Sequence, residues 1–344
     1  MISKQKYHHS IIGCGRIAQN HFDAAVENNM EISLCVDKDI KKAREFASKN
    51  HIKNYSSDYF DVLKSNNISS VSICTDHLSH TKIAKDIFEH SHLIIEKPLS
   101  SDFQEAINFF HYQSANKNII TVISQHRFDK VVSFVKKLLN RNVLGDIVIV
   151  NISLKCKRDA SYYTDSDWKG RLIFEGGSTV INQAYHLIDL LIFFWGMPLS
   201  VKSFVKNIKL QNIIETEDTC VSIMDYGHFL CSFYTTNASI TDWETQIEII
   251  GTEGEVSFSI DYPENLIYLR IDKEKEQEYS NDIKRIRDNS SLENTSGINY
   301  YGKSHIEQFK NFKNSILHKE EVKVTLIDAL NTQKLIALLY NNIR

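Results

Sequence analysis

Three groups of residues, far apart in the chain, have the types and spacing to carry out chemistry. Glu96-Lys97-Pro98 follows an apolar run and so places a lysine at a strand terminus. Gly13-Cys14-Gly15-Arg16-Ile17-Ala18 is a glycine turn, and Asn182, His186 and Asp189 follow the spacing of one helix face. A dinucleotide turn, a lysine and a histidine together predict a hydride-transfer enzyme.

The glycine segment lies in the sequence context that a dinucleotide site requires. A strand-like run over 7–12 leads into Gly13 and Gly15, and a helical pattern begins directly afterwards. The first glycine permits a tight turn, the second lets the backbone approach a pyrophosphate, and the small Ala18 lets the helix pack closely on the strand. An ordinary strand, turn and helix with fortuitous glycines is the alternative.

An acidic residue follows the second strand-like run at the position where a ribose would lie. Asp37 comes about 20 residues after the glycine motif, where a carboxylate accepts hydrogen bonds from the adenosine ribose hydroxyls. This residue favours NAD. The adjacent Lys38 could neutralise a 2′-phosphate, so the sequence leaves NADP open.

Strand-like and helix-like segments alternate along the first third of the chain. This alternation predicts an α/β fold for residues 1–124, with a doubly wound parallel sheet covered by helices on both faces. Ligands of such sheets bind outside the carboxyl ends of the strands. The residues expected to contact the cofactor are Gly13, Cys14, Gly15, Arg16, Ile17, Asp37, Lys38, Thr75, His77, His80, Glu96 and Lys97.

Lys97 is expected beside the nicotinamide. A lysine there can exchange a proton with the substrate or hydrogen-bond its oxygen. The alternative is a surface lysine that happens to follow a strand. Pro98 fixes a turn, and a cis Lys97–Pro98 peptide bond is a hypothesis that a structure tests directly.

Residues 125–344 form the second predicted domain, an α+β unit with an open, mostly antiparallel sheet. Strand-like runs recur at 146–157, 201–209, 219–226, 228–236, 244–250 and 254–260. Residues 275–300 are expected to be an exposed loop or short helix, and the terminal helix, 326–341, is expected to pack back toward the first domain. The free face of the sheet is a natural oligomer surface.

A helix is predicted over 178–194, with Asn182, His186 and Asp189 on one face. His186 can donate or accept a proton near neutral pH, and Asn182 can position a hydroxyl one turn away. A hydrogen-bonded core histidine is the competing interpretation. The preceding Gly176-Gly177 pair and aromatic residues favour a cleft wall that a sugar-sized ligand can approach.

The composition argues against several other classes of protein. The chain has 344 residues, 42% of them apolar, which is enough to form two hydrophobic cores. Its formal net charge is −3, and it has no cluster of basic residues of the kind that binds nucleic acid. Apolar runs are too short for a membrane span, and the six cysteines contain no C-x-x-C pair. We therefore expect a cytoplasmic protein that binds neither nucleic acid nor membrane. No metal site is expected, since His77 and His80 lack partners at ligand spacing.

Taken together, these residues resemble the glucose-fructose oxidoreductase, inositol dehydrogenase and rhizopine-catabolism (Gfo/Idh/MocA) family over nearly the whole chain. The motifs that carry the resemblance are Gly13-Cys14-Gly15-Arg16-Ile17-Ala18, Asp37, Thr75 to His80, Glu96-Lys97-Pro98, Arg127, Trp168-Lys169-Gly170, Gly176-Gly177, Asn182-Gln183, His186-Leu187-Ile188-Asp189, Ile250 to Gly254 and Asp328-Ala329. Their order and spacing are specific to the family rather than to one substrate.

The resemblance implies a Rossmann domain followed by an open-faced sheet domain, commonly in homodimers or homotetramers, with NAD(P) bound at the junction. It implies reversible oxidation of a secondary hydroxyl of a sugar, cyclitol or nucleotide sugar, with Lys97 and His186 as the catalytic pair. Carried over by position, the substrate-binding residues are Arg127, Tyr163, Trp168, Asn182, Gln183 and Asp189.

Asn182 departs from the commonest family pattern, which has an aspartate four residues before the histidine. Asparagine cannot act as a base, so proton abstraction is left to His186 or Lys97. Asn182-Gln183 followed by His186 is similar to the branch that acts on nucleotide sugars, such as the UDP-N-acetylglucosaminuronate 3-dehydrogenases. We expect chemistry at a ring hydroxyl, with the 3-position as a candidate. An inositol or free-sugar dehydrogenase and a catalytically silent NAD-binding regulator are the alternatives.

Overall fold

The computed structural model describes residues 7–64, 68–113, 117–261, 265–290 and 298–341. The chain divides into two compact units. The first contains Met1–Gln125 and Ser296–Leu330, and the second contains His126–Thr295 and Asn331–Arg344. Each unit is built on its own sheet.

The first unit has a six-stranded parallel sheet in the order β3-β2-β1-β4-β5-β6. Its strands are β1 (Tyr7–Ile12), β2 (Met30–Val36), β3 (Tyr55–Ser56), β4 (Ile68–Ile73), β5 (His92–Ile95) and β6 (Ile120–Val122). The helices between them are α1 (Ala18–Glu27), α2 (Ile40–Lys49), α3 (His80–Ile87) and α4 (Phe103–Gln113), with a 3₁₀ turn over Tyr59–Lys64. The predicted doubly wound sheet is confirmed.

The apolar runs of the central strands explain why helices cover both faces. Val71 and Ile73 on β4, and Leu93 and Ile95 on β5, are fully buried. A parallel strand buried on both faces has continuous rather than alternating apolar residues. The carboxyl ends of β1, β2, β4 and β5 therefore meet at one edge of the sheet.

The second unit has a seven-stranded sheet in the order β13-β12-β11-β7-β10-β9-β8, in which only the β7–β10 pair is parallel among the described strands. Its strands are β7 (Ile147–Lys157), β8 (Ser200–Lys206), β9 (Thr219–Asp225), β10 (Leu230–Thr236), β11 (Ala238–Gly251), β12 (Glu255–Ser259) and β13 (Asn265–Arg270). Its helices are α5 (Lys130–Asn140), α6 (Ala160–Thr164), α7 (Leu172–Glu175), α8 (Tyr185–Trp195), α9 (Lys273–Glu278) and α10 (Ser280–Ser290). The prediction of a mostly antiparallel sheet is confirmed.

One face of this sheet is packed and the other is open. On β9, Cys220 and Met224 are fully buried, whereas Val221 and Ile223 are more than half exposed. Residues of α5 and α8 pack in the same core as the buried set. This alternation is the pattern of an antiparallel sheet with one solvated face.

The last two helices are α11 (Ile298–His318) and α12 (Leu326–Leu339). Phe309 and Phe312 of α11 pack with Ala24 and Ala25 of α1 in the first unit. Along α12, Leu326 and Ala329 belong to the core of the first unit, and Leu335, Ile336 and Leu339 belong to that of the second. None of the helices in the described part of the chain is long and apolar enough to cross a membrane.

The single helix predicted over 178–194 is wrong. A wide π-type turn spans Thr179–Gln183, and α8 begins only at Tyr185. The Ala184 amide reaches back five residues to the Thr179 carbonyl at 2.9 Å, and the buried Glu217 carboxylate accepts the amides at the start of the turn. Asn182 and His186 therefore do not lie on successive turns of one regular helix.

The strand β13 was not predicted. Much of 275–300 is helical, in α9 and α10, which agrees with the short helix that was one of the two alternatives expected there. Residues 291–297 of that segment lie outside the described residues. The Lys97–Pro98 bond is cis, as the hypothesis required.

A buried histidine makes the stability of the first unit depend on pH. His9 on β1 is fully buried between the hydroxyls of Ser70 and Ser72, at 2.6 and 2.8 Å. Burial, followed by repulsion from His21, lowers the pKa of His9 from 6.5 to about 3. Between these values the unfolded chain binds a proton that the folded chain does not, so stability is full above about pH 6.5 and falls as pH decreases.

We predict that His9→Gln flattens this acid dependence. Its free energy of unfolding should lose about 1.4 kcal/mol less per pH unit than that of the wild type between about pH 5.5 and 4.5, because one proton no longer binds on unfolding. Urea unfolding at a series of pH values measures the slope. His8→Gln, at the half-buried neighbour that bonds to Ser33, is the matched control. An unchanged slope for His9→Gln would contradict the account.

Candidate active site

The glycine turn after β1 is the first part of the candidate site. Gly13 has φ +92°, and a Cβ there would lie 2.6 Å from the Cys74 carbonyl oxygen, so the chain itself requires this glycine. A Cβ on Gly15 would meet nothing within 4 Å. The chain does not need a glycine at 15 for its own packing, and the open space beside it suits a close approach by a ligand.

The residues around this turn fit a dinucleotide. Asp37 holds it, because one carboxylate oxygen accepts the Cys14 amide and the other accepts the Asp39 amide, both at 2.9 Å. Its carboxylate keeps lone pairs for ribose hydroxyls. Arg16 and Lys38 are exposed, and Ile17 is half-buried at the start of α1. The N-terminus of α1 has no side-chain cap.

The loop after β4 contributes Thr75, His77 and His80. Thr75 is half-buried, His77 is 3% exposed and His80 is fully buried at the start of α3. His80 Nδ1 lies 2.8 Å from the Pro98 carbonyl oxygen, and its Nε2 lies 3.2 Å from that of Thr75. Burial lowers the pKa of His80, which keeps the ring neutral. His80 thus lies against the backbone of both the β4 and the β5 loops.

Lys97 follows β5 at the same edge of the sheet and is half-buried. The Lys97 amide donates to Glu96 Oε2 at 3.1 Å, and His21 Nε2 lies 2.9 Å from Glu96 Oε1. Burial pushes the pKa of Glu96 up, but the hydrogen bond from His21 and the nearby His305 ring outweigh it and hold that pKa well below its usual value. Glu96 is therefore an ionised, buried anchor for the lysine.

In the second unit, His186 lies in the first turn of α8. Its ring is 4.7 Å from that of His126, measured between centroids, in an edge-to-face contact. His126 Nδ1 in turn lies 2.6 Å from the Asp129 carboxylate. A carboxylate, a histidine and the candidate catalytic histidine thus form a row, and His126 was not among the predicted site residues.

Asn182 is held by a buried carboxylate that the sequence did not single out. Its side-chain amide donates to Glu175 Oε1 at 2.5 Å, and Glu175 Oε2 accepts the Gly170 amide at 2.5 Å. Glu175 is fully buried. Asn182 makes this contact through its side-chain nitrogen, so its carbonyl oxygen takes no part in it.

Of the two neighbouring tyrosines, Tyr163, which the resemblance assigns to substrate binding, is the more deeply buried. It is 4% exposed, its hydroxyl contacts Ser178 and accepts from Asn237 at 2.9 Å each, and burial raises its pKa. Tyr162 is the half-buried one. Gln183 donates to the Tyr162 hydroxyl at 3.1 Å.

Arg127 and Asp189 pair with each other. Arg127 Nε and Nη2 donate to the two oxygens of Asp189 at 2.8 Å each, and Thr332 also donates to Asp189. Both side chains are almost fully buried. This bidentate pair neutralises its own charges, which favours a structural role over direct substrate contact. Trp168 is half-buried, in the loop before α7.

The structure groups the predicted cofactor residues at one edge of the first sheet, and it groups Asn182, Gln183 and His186 around the wide turn of the second unit. Sequence reasoning missed Tyr162, Arg158, Glu175 and His126. Glu175 directly precedes the Gly176-Gly177 pair, so its position beside a required turn was an available signal. The others had none, because only the fold brings His126 to His186, and Arg158 and Tyr162 to Gln183.

Comparison with known proteins gives the class and then the family. Residues 8–124 match the model described as "Oxidoreductase family, NAD-binding Rossmann fold". Residues 136–344 match "Oxidoreductase family, C-terminal alpha/beta domain". The chain therefore belongs to the Gfo/Idh/MocA family and is an NAD-dependent oxidoreductase.

Individual relatives are distant in sequence but close in fold. Oxidoreductase P35 of Formosa agariphila is 24% identical over 256 residues, which cover 72% of this chain and 78% of that protein. The WlbA dehydrogenase of Bordetella pertussis, solved with NADH and UDP-GlcNAcA, has a TM-score of 0.85 at 20% identity and covers 99% of this chain and 96% of its own. Levoglucosan dehydrogenase, solved with NADH and levoglucosan, has a TM-score of 0.82 at 17% identity, covering 97% and 96%. These likenesses show a shared fold.

The two glycines of the turn should respond differently to alanine. Gly15→Ala should fold with unchanged thermal stability but bind NAD at least about tenfold more weakly, because the added methyl fills space that the pyrophosphate needs. Gly13→Ala should instead lower the melting temperature, because its Cβ meets backbone. Calorimetric titration with NAD and thermal melting measure the two effects. A Gly15→Ala protein with wild-type NAD affinity would show that the turn does not bind the cofactor.

The pairing of Asn182 with Glu175 predicts a charge effect. Asn182→Asp should place two carboxylates in contact and lower both kcat and thermal stability, since like charges this close cannot both remain ionised. Adding Glu175→Gln should restore much of both, because the new amide donates to the introduced aspartate while its oxygen still accepts from Gly170. Melting curves and steady-state rates measure the rescue. Equal stability of the single and double variants would refute the contact.

Proposed function

We propose that this protein transfers hydride between NAD and a secondary ring hydroxyl or ketone of a sugar or nucleotide sugar, with the 3-position as a candidate site. The observation that carries the proposal is the position of Lys97. It follows β5 at the same sheet edge as the glycine turn and Asp37, where a family member holds its cofactor. The retained Lys97 and His186 disfavour a catalytically silent regulator.

The roles follow from chemistry that each side chain can perform. When bound, the nicotinamide supplies the hydride acceptor or donor. Lys97, held through its backbone by Glu96, hydrogen-bonds the reacting oxygen or takes its proton. His186 is the second group able to move that proton, and Asn182 orients a neighbouring hydroxyl through its carbonyl oxygen. Proton transfer belongs to Lys97 or His186, because Asn182 has no titratable proton.

An anionic substrate is favoured by the cations beside Tyr162. The Arg158 guanidinium lies 4.7 Å and the Lys169 ammonium 4.0 Å from the Tyr162 ring centroid. Within the described residues, the hydrogen bonds of Arg158 go to carbonyl oxygens, those of Lys157 and Gln183, so no carboxylate neutralises it there. A diphosphate, a phosphate or a uronate carboxylate would complement these charges. This favours a nucleotide sugar over a neutral free sugar or inositol.

The test follows the absorbance of reduced nicotinamide with NAD or NADP and a panel of UDP-sugars, UDP-uronates, sugar phosphates, neutral sugars and inositols. We expect turnover with NAD and an anionic sugar. Lys97→Met and His186→Asn should each lower kcat/KM by about 100-fold without loss of NAD affinity. Lys42→Met, at an exposed lysine of α2, is the matched control.

Preference for neutral sugars would support the free-sugar alternative. Wild-type activity in both variants would show that the site is elsewhere. NAD binding with no turnover on any panel member would favour the regulator. The protein is also denatured after incubation with each sugar and its bound cofactor analysed, and no change in that cofactor is part of this outcome.

We also propose that the open face of the second sheet binds a second copy of the chain. Phe204, Val221 and Tyr234 are neighbours across β8, β9 and β10, and their side chains are 77%, 52% and 42% exposed. A continuous apolar row of this kind is typical of an interface, and a two-fold axis lets the same face serve both copies.

The six cysteines are all free in the described chain, in keeping with a reducing cytoplasm.

Light scattering after size exclusion tests this interface. The wild type should be a dimer or a larger assembly, and Val221→Asp should reduce its molar mass, because a buried unpaired charge disfavours association. Val26→Asp, at a valine of α1 that is 50% exposed, is the control and should leave the mass unchanged. A monomeric wild type, or an assembly that survives Val221→Asp, would contradict the proposal.

A further inference from the structure

A continuous series of hydrogen bonds runs through the buried interior of the first unit and ends at Glu96. We call it the His–Ser chain; its members are Ser70, His9, Ser72, His21 and Glu96. The Ser70 hydroxyl lies 2.6 Å from His9 Nδ1, and the Ser72 hydroxyl lies 2.8 Å from both His9 Nε2 and His21 Nδ1. His21 Nε2 lies 2.9 Å from Glu96 Oε1. Four members are fully buried and Glu96 is 5% exposed.

The chemistry of the groups fixes the direction of every proton in this chain. An ionised Glu96 only accepts, so His21 must donate from Nε2. A neutral His21 then accepts at Nδ1, from the Ser72 hydroxyl. The Ser72 oxygen is left to accept from His9 Nε2, and His9 Nδ1 accepts from Ser70. Each donor meets one acceptor, so the chain is fully satisfied in a single order.

At its Glu96 end, the His–Ser chain contacts the backbone of Lys97, the candidate catalytic lysine. The Lys97 amide donates to Glu96 Oε2, the oxygen that His21 does not use. His80 holds the next residue through the Pro98 carbonyl. The orientation of the Glu96 carboxylate therefore sets where the peptide of Lys97 lies. His305, on α11, approaches the same carboxylate with Nε2 at 3.8 Å from Oε1.

A metal ion bound by His21, Glu96 and His305 is the alternative to this hydrogen-bond order. One ligand atom from each of His21, Glu96 and His305 lies within 4.8 Å of the others. Ligation through His21 Nε2 would require its proton on Nδ1, which reverses the hydrogen bond to Ser72. The two accounts therefore predict opposite tautomers of His21.

We propose that His21 is a positioning residue for the hydride-transfer reaction: through Glu96 it fixes the backbone of Lys97, with Ser72 and His9 holding its tautomer. The kinetic part of this inference rests on the proposed function. An ångström-scale displacement of a proton-transfer group costs about two orders of magnitude in rate, which is why a fixed peptide matters at this position.

The tautomer is measured without any turnover. In full-length protein labelled with ¹⁵N-histidine, long-range ¹H–¹⁵N spectra assigned with His21→Gln should show His21 protonated at Nε2 alone. A proton on Nδ1, or on both nitrogens, would overturn the hydrogen-bond order. So would one equivalent of a transition metal in the purified protein, measured by mass spectrometry.

Kinetics test the positioning role. His21→Leu should lower kcat at least about tenfold while the NAD dissociation constant changes less than about twofold, because the cofactor turn is intact. His21→Gln keeps a donor for Glu96 and should recover most of kcat. Ser72→Ala leaves the His21–Glu96 contact in place and should lower kcat by a smaller factor. If His21→Leu does not fold, the kcat of Ser72→Ala tests the positioning role in its place. His8→Gln, outside the chain, should have wild-type kcat.

Wild-type kcat in His21→Leu, or a His21→Gln protein as slow as His21→Leu, would refute the role of His21. Absence of turnover in the wild type with every sugar would instead refute the proposed function, and the tautomer would still decide the hydrogen-bond order.

Discussion

An ionised carboxylate that is removed from water must be surrounded by donors, and Glu96 is such a group. Its donors come from α1, through His21, and from the amide of the next residue in its own chain. Helix α1 must therefore pack on the sheet close to the end of β5. The same helix begins at the glycine turn. The buried charge of Glu96 therefore fixes the position of the Glu96-Lys97-Pro98 segment relative to the glycine turn.

The second unit uses the same principle with a different partner. Glu175 is fully buried and divides its two oxygens between the Gly170 amide and the Asn182 side chain. A neutral amide satisfies this carboxylate, whereas a second carboxylate would repel it. An asparagine at position 182, where the resemblance leads one to expect aspartate, is therefore consistent with its surroundings in this chain, and under the proposed function proton transfer falls to histidine or lysine.

Features encoded in short sequence windows could be predicted. The strand, glycine turn and helix around Gly13, the acid at Asp37 and the parallel sheet all follow from local patterns of apolar residues and turns. The wide turn before α8 could not be seen, because it depends on Glu217, more than thirty residues later, accepting its amides. The strand β13 and the burial of Tyr163 instead of Tyr162 likewise depend on pairing with distant segments. Helix α11 has a clear helical pattern, but no local signal says that it packs on α1.

The most direct test of the central claim is the fate of one hydrogen atom. The panel sugar that supports turnover, carrying deuterium on the ring carbon to be oxidised, is mixed with the enzyme and NAD, and the cofactor is analysed by mass spectrometry after denaturation. Our account predicts one deuterium in the nicotinamide with the wild type and a much slower appearance of it with Lys97→Met. Oxidised sugar together with unlabelled cofactor would contradict hydride transfer from the ring carbon.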